Sequence, residues 1–221
     1  MALSETTRAE LESILDRYPN PRSALGPMLH LVQSEEGYVS PAGIELCADV
    51  LDLTPAEVAA VATFYTMYKR HPVGKHHIGV CINPQCGILG GEAIWQSLVD
   101  DLGIGHDETT EDGQFTIERI ECQAACTYAP VMTVDWEFMD RATVDSAREV
   151  IAKLRAGEEV DSTRGPKIRS FQETERSIAG FDDGLADADG NCADDVMLAG
   201  LNLAKEQNMP FPEPSRAGEG S

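Results

Sequence analysis

Basic residues are scarce in this sequence: 17 lysines and arginines stand against 38 aspartates and glutamates, a formal charge of −21. A chain this acidic repels phosphate backbones and anionic lipid surfaces, which argues against nucleic acid or a membrane surface as a direct partner. The bland alternative is that the charge serves solubility alone. Long hydrophobic runs are missing too. No apolar stretch approaches the roughly 20 residues that span a bilayer, so direct membrane insertion is not expected. The first ten residues, Met-Ala-Leu-Ser-Glu-Thr-Thr-Arg-Ala-Glu, lack the basic start and apolar core of a signal peptide, and the chain is expected to stay in the cytosol. A nucleotide-binding motif is also wanting. Gly87-Ile88-Leu89-Gly90-Gly91 has the glycines of a phosphate loop but neither the GK[ST] ending nor the G-x-G-x-x-G order. There is no Cys-x-x-Cys, which a thiol–disulfide oxidoreductase would need at a helix start, and no internal repeat.

What remains is a chain of 221 residues, 42% hydrophobic, long enough for one ordinary domain and an appendage. Residues 1–70 read as a helical bundle of four short amphipathic helices. Their apolar stripes are Leu11, Ile14, Leu15 and Tyr18; Leu25, Met28, Leu29 and Val32; Ile44, Cys47, Ala48 and Leu51; and Val58, Val61, Ala62 and Tyr65. Asn20-Pro21, Ser40-Pro41 and Thr54-Pro55 each supply an N-cap followed by a proline, and Thr54 with Glu57 fits a capping box. Pro27 should kink the second helix or delay its start.

Residues 71–157 then change period. Strands are expected at 76–80, 115–121, 130–134 and 137–139, and helices at 92–101 and 143–155. This β–α–β–β–α order is that of a small mixed sheet with helices packed on it, the minimum of a thioredoxin-like domain. The fold class is therefore α+β. Residues 158–221 form an acidic tail, expected to be extended or partly disordered over 157–190 and loose from Pro210 onward, with a helical stripe at 192–207.

Four of the six cysteines fall in two pairs, Cys81-x4-Cys86 and Cys122-x3-Cys126, and each pair follows an expected strand. If those strands are neighbours in one sheet, four thiolates converge at one sheet edge. Cytosolic thiolate sets hold zinc or an iron–sulfur cluster. Structural zinc favours two-residue gaps; gaps of four and three leave wider loops, better suited to a [2Fe–2S] cluster, while a zinc-stapled interaction module stays open as the alternative. Rieske ligation needs two histidine ligands, and His76 and His77 lie within a strand, facing opposite sides. Small residues around the pairs, Gly87 and Gln123-Ala124-Ala125, leave room for backbone N–H groups to approach sulfur. Cys47, on the apolar stripe of its helix, reads as an inert core thiol, and Cys192 as a free one. Four thiolates, two ferric ions and two sulfides sum to about −2, so reduction inside so acidic a chain is disfavoured and a low potential is expected.

Several segments carry a resemblance: Val32-Gln-Ser-Glu-Glu-Gly-Tyr-Val39, Val61-Ala-Thr-Phe-Tyr-Thr-Met67, Pro72-Val-Gly-Lys-His-His-Ile78 and Cys126-Thr-Tyr-Ala-Pro-Val-Met132. With the cysteine pattern they cover roughly residues 8–155, and the chain resembles the family of small iron–sulfur subunits of respiratory NADH:quinone oxidoreductase (complex I), the bacterial E subunit and its mitochondrial 24 kDa equivalent. The resemblance implies a thioredoxin-like ferredoxin domain behind a helical bundle, with a [2Fe–2S] cluster on Cys81, Cys86, Cys122 and Cys126 and no complete active site of its own. It implies docking against a flavoprotein subunit that holds FMN and the NADH site, alongside further iron–sulfur subunits, peripheral to the inner face of the plasma membrane. In the family this cluster lies off the main electron route, near the flavin. An equivalent diaphorase subunit of a soluble NAD-linked hydrogenase or formate dehydrogenase is the runner-up. Two departures stand out: Ala124 replaces a common glycine, and Pro84 sits one place earlier than the usual proline before Cys86.

Overall fold

The computed structural model describes residues 3–165, 167–184 and 194–210. The chain divides into two units, Met1–Gly190 and Asn191–Ser221. In the first unit the helical layer comprises α1 (Glu5–Leu15), α2 (Leu25–Glu36), α3 (Pro41–Leu51) and α4 (Pro55–Phe64). Capping residues set the boundaries. Ser40 and Thr54 accept from the third residue of their helices, and Glu57 completes a capping box. Asn20 caps a 3₁₀ turn, Pro21–Ala24, that leads into α2. The α-helix proper thus starts late, at Leu25 rather than at Pro21, which puts Pro27 in its first turn, where a missing N–H costs nothing. Leu11, Ile14, Met28, Leu29, Val32, Cys47, Ala48, Val58 and Ala62 form the shared core. Tyr65 is the exception to its expected stripe: it caps α4 in extended conformation and is 56% exposed.

The sheet comprises β1 (His76–Cys81), β2 (Glu108–Thr109), β3 (Phe115–Ile120), β4 (Met132–Val134) and β5 (Glu137–Met139), in the order β2-β3-β1-β4-β5. β1 is central, parallel to β3 and antiparallel to β4. Every residue of β1 is buried, as expected of a strand covered on both faces. Ile78 and Val80 join Ile117, Met132 and Val134 in a core closed by α6 (Glu92–Leu102) and α7 (Val144–Ala156). His77 points the other way, against Trp136 and Phe171. The short turn α5 (Pro84–Cys86) and a π-type turn at Gly87–Gly91 join β1 to α6.

One segment departs from expectation. Residues 157–190 read as extended chain, yet they include α8 (Phe171–Ile178), packed along α2. Its physical basis is a capping box, Ser170 with Glu173, and two fully buried side chains, Phe171 and Glu175. Glu175 lies 2.5 Å from His30 Nδ1 and accepts from Trp136 Nε1 at 2.6 Å, so it holds α8 to both the helical layer and the sheet. In the second unit α9 (Asp195–Glu206), capped by Asp194, matches the expected helical stripe, and none of its residues is buried. The acidic residues 185–190 and the end at 211–221 lie outside the described residues.

Candidate metal centre

Parallel pairing of β1 with β3 sets Cys81 opposite Ile120, so the two strands end level. Cys81 is the last residue of β1, and Cys122 follows two residues after β3 ends. Both cysteine loops therefore leave the sheet at one edge, as their positions after two strands suggested. Cys86 closes the α5 turn, and Cys126 opens a 3₁₀ turn, Cys126–Tyr128. Cys81 and Cys86 are each 2% exposed and pack with Ile120, Ala125 and Val131; Cys122 and Cys126 are exposed.

The sulfurs gather as two pairs. Cys122 Sγ and Cys126 Sγ lie 3.5 Å apart. Burial and a hydrogen bond with the Cys81 thiol push the Cys86 thiol up to about 11, while the backbone N–H of Val131 pulls the other way. Cys126 is raised chiefly by its hydrogen bond with Cys122. The pairs also sense one another, since charge on Cys126 disfavours the Cys86 thiolate and charge on Cys81 disfavours that of Cys126. The expectation of one convergence point is thus refined: among the described residues no three Cys, His, Asp or Glu side chains form a single-ion group. Two thiol pairs at one end of the sheet suit a centre with two metal ions, each taking two thiolates. Divalent or trivalent charge at this place would favour the thiolates that burial and the neighbouring sulfurs disfavour.

The backbone around the pairs is specialised. Cys81 N–H donates to Val131 O at 3.1 Å and the Val131 backbone N–H reaches the Cys86 sulfur, so Val131 braces the backbone of one cysteine and the thiol of the other, a role the sequence did not reveal. Gly91 sits so close that a Cβ there would lie 2.5 Å from Cys81 O and 2.9 Å from Cys86 O. This is the use to which the Gly87–Gly91 stretch is put. Ala124 has φ +55, in the left-handed region, which explains why a glycine suits that position. His76 and His77 pair with Asp135 and Glu118 respectively, at 2.7 and 2.8 Å, and serve the core. Cys47 is fully buried, and burial pushes its thiol up to about 12, in keeping with an inert core thiol. Cys192 lies outside the described residues.

The family model of thioredoxin-like [2Fe-2S] ferredoxins matches residues 11–155. The chain is 48% identical over 210 residues to the E subunit of the NADH-quinone oxidoreductase of Mycobacterium tuberculosis, covering 95% of this chain and 83% of that one. It is 38% identical over 159 residues to the NADH-quinone oxidoreductase subunit 2 of Thermus thermophilus, covering 71% of this chain and 88% of that one. Among solved structures, an air-oxidised NAD+-reducing [NiFe]-hydrogenase shares the fold, with a TM-score of 0.53 at 19% identity over 59% of this chain and 23% of that one.

Proposed function

This chain belongs to the thioredoxin-like [2Fe–2S] ferredoxin family, and on that premise we propose that it is the electron-transfer subunit of the NADH-oxidising module of a respiratory NADH:quinone oxidoreductase. The family indicates a [2Fe–2S] cluster, whose chemistry is to accept and return one electron at a time. In this reading Cys81 and Cys86 hold one iron and Cys122 and Cys126 the other. The observation that supports it is that both cysteine loops leave the sheet at the common end of β1 and β3. The chain's own residues bind the irons, shield one pair in the core and leave the other pair at the surface. That exposed side is where an electron exchanges with a partner. NADH and FMN belong to a flavoprotein subunit docked beside this chain, with further iron–sulfur subunits beyond it. No helix among the described residues is long and apolar enough to cross a membrane, and the proposed location is peripheral, on the cytoplasmic face of the complex. The greater identity to the respiratory subunits favours that complex over a soluble hydrogenase.

The test is reduction of the cluster-bearing chain, followed by electron paramagnetic resonance (EPR). Dithionite should reduce the isolated chain. NADH should do so only when the flavoprotein subunit is present. Reduction by NADH of the chain alone would refute the division of labour between the two subunits.

A further inference from the structure

Lys69 is a charged side chain with only 5% of its surface exposed, in a chain whose charge is strongly negative. Its Nζ pairs with Glu118 and stands 5.3 Å from the centre of the Trp136 ring. Glu118 also accepts from His77 Nε2 at 2.8 Å. The helical layer fixes the lysine's backbone: Gln33, fully buried on α2, accepts from Lys69 N–H at 2.6 Å and donates to Met67 O at 2.9 Å. Val39 N–H adds a bond to Lys69 O at 2.7 Å. On the far side of the ammonium, Asp135 and Trp136 both have positive φ, at +50° and +71°. A tryptophan rarely adopts that conformation, and here it brings the indole beneath the cation.

This assembly opens onto the cysteine loop. One cavity of about 410 Å³ is lined by Lys69, Glu118 and Trp136 together with Ile120, Glu121 and Gln123. Glu121 and Gln123 flank Cys122, and Ile120 packs against Cys81 and Cys86. Burying an ammonium–carboxylate pair is a poor way to gain stability, because desolvation offsets most of the attraction. A place on a cavity that the Cys122 loop borders, near a proposed centre that becomes more negative on reduction, gives the pair a use.

We propose that Lys69 is a tuning residue of the redox centre: its ammonium, on a backbone held by Gln33 and balanced by Glu118, favours the reduced state of the cluster across the cavity that the Cys122 loop borders. The proposal rests on the cluster reading above. Electron uptake involves no bond change, so the effect is one of charge alone. Removing the cation leaves the Glu118 carboxylate facing the loop and disfavours reduction. Removing the anion leaves the cation in excess and favours it.

The test is an EPR-monitored redox titration of the full chain carrying its cluster, in wild type, Lys69→Met, Lys69→Arg, Glu118→Gln and the Lys69→Met/Glu118→Gln double variant. The midpoint should move negative in Lys69→Met, move positive in Glu118→Gln, and return close to wild type in the double variant and in Lys69→Arg. A merely structural pair would move both single variants alike or lower cluster content without a change of sign. Midpoints that stay at the wild-type value, or that shift in the same direction, overturn the proposal. Glu118→Gln keeps the ammonium and reads the sign even if Lys69→Met fails to load. A wild-type chain without an iron–sulfur signal would strike at the cluster reading itself, whereas a normal wild-type signal with unresponsive variants strikes only at Lys69.

Discussion

Gly91→Ala offers a sharp probe of how the backbone builds the metal centre. Gly91 has φ −56 and ψ −40, ordinary right-handed helical values, so its backbone conformation does not demand glycine. Space does. An added Cβ would meet Cys81 O at 2.5 Å, Cys86 O at 2.9 Å and Cys86 C at 3.1 Å. All three are backbone atoms, so no side-chain rotation can relieve the contact. Restoring normal van der Waals separation requires the segments to part by roughly 0.5–1 Å. Overpacking of this kind costs about 1–3 kcal/mol, and immovable neighbours place it toward the upper end. For a chain of this size that is a fall of about 5–10 °C in melting temperature. Metal–sulfur geometry tolerates only about 0.2 Å, so displacement of the Cys81 and Cys86 backbones should also reduce cluster content. The control is Gly103→Ala. There φ is +70 with nothing within 4 Å of the added carbon, so it should cost about 1 kcal/mol of backbone strain and no iron. Thermal melting together with iron and sulfide analysis distinguishes the two. A Gly91→Ala protein with full iron and an unchanged melting temperature would refute the reasoning.

Other consequences are testable in the same way. Burial alone would raise the Glu118 carboxyl, but the hydrogen bond from His77 and the charge of Lys69 outweigh it and hold it down to about 2, against an ordinary 4.5. A lowered carboxyl contributes stability that is fully present above pH 4.5 and lost as pH falls toward 2. After allowance for partial solvent screening this is about 2 kcal/mol, and Glu118→Gln should be less stable than wild type near neutrality but converge with it in acid denaturation curves. Asp135 has the opposite sense: burial pushes it up to about 6, so its contribution is lost as pH rises through that value. Glu175→Ala should cost about 3 kcal/mol in urea unfolding, since it strands His30 and the Trp136 N–H in the core, and should speed proteolysis of α8. Ala124→Gly should add about 1 kcal/mol by relieving the left-handed φ of +55. No change in melting temperature would sink that assignment.

Local signals were legible in the sequence where local physics decides. Ser40-Pro41 and the Thr54/Glu57 box mark helix starts that the structure keeps. The alternation from Phe115 onward marks a strand to within one residue, and the strands expected at 130–134 and 137–139 pair as a hairpin that turns at Asp135-Trp136. The common exit of the two cysteine loops was legible because each pair follows a strand, and parallel neighbours end at the same edge. What was not legible depends on partners far apart in sequence. α8 carries a capping-box signature at Ser170/Glu173, but its stability comes from Glu175 meeting His30, 145 positions away. Its polar, charged sequence therefore looked like solvated chain. Nothing in the local sequence marks Lys69; Gln33 and Glu118, 36 and 49 positions distant, hold it inward. β2 is two residues long, too short for any period to show.

The most direct measurement is the iron and acid-labile sulfide content of the purified chain beside that of Cys122→Ala and Cys47→Ala. About two irons and two sulfides per chain are expected in wild type and in Cys47→Ala, with a rhombic EPR signal after reduction, and loss of both in Cys122→Ala. Zinc in place of iron, or normal iron in Cys122→Ala, would contradict the assignment of the two cysteine pairs to one redox centre.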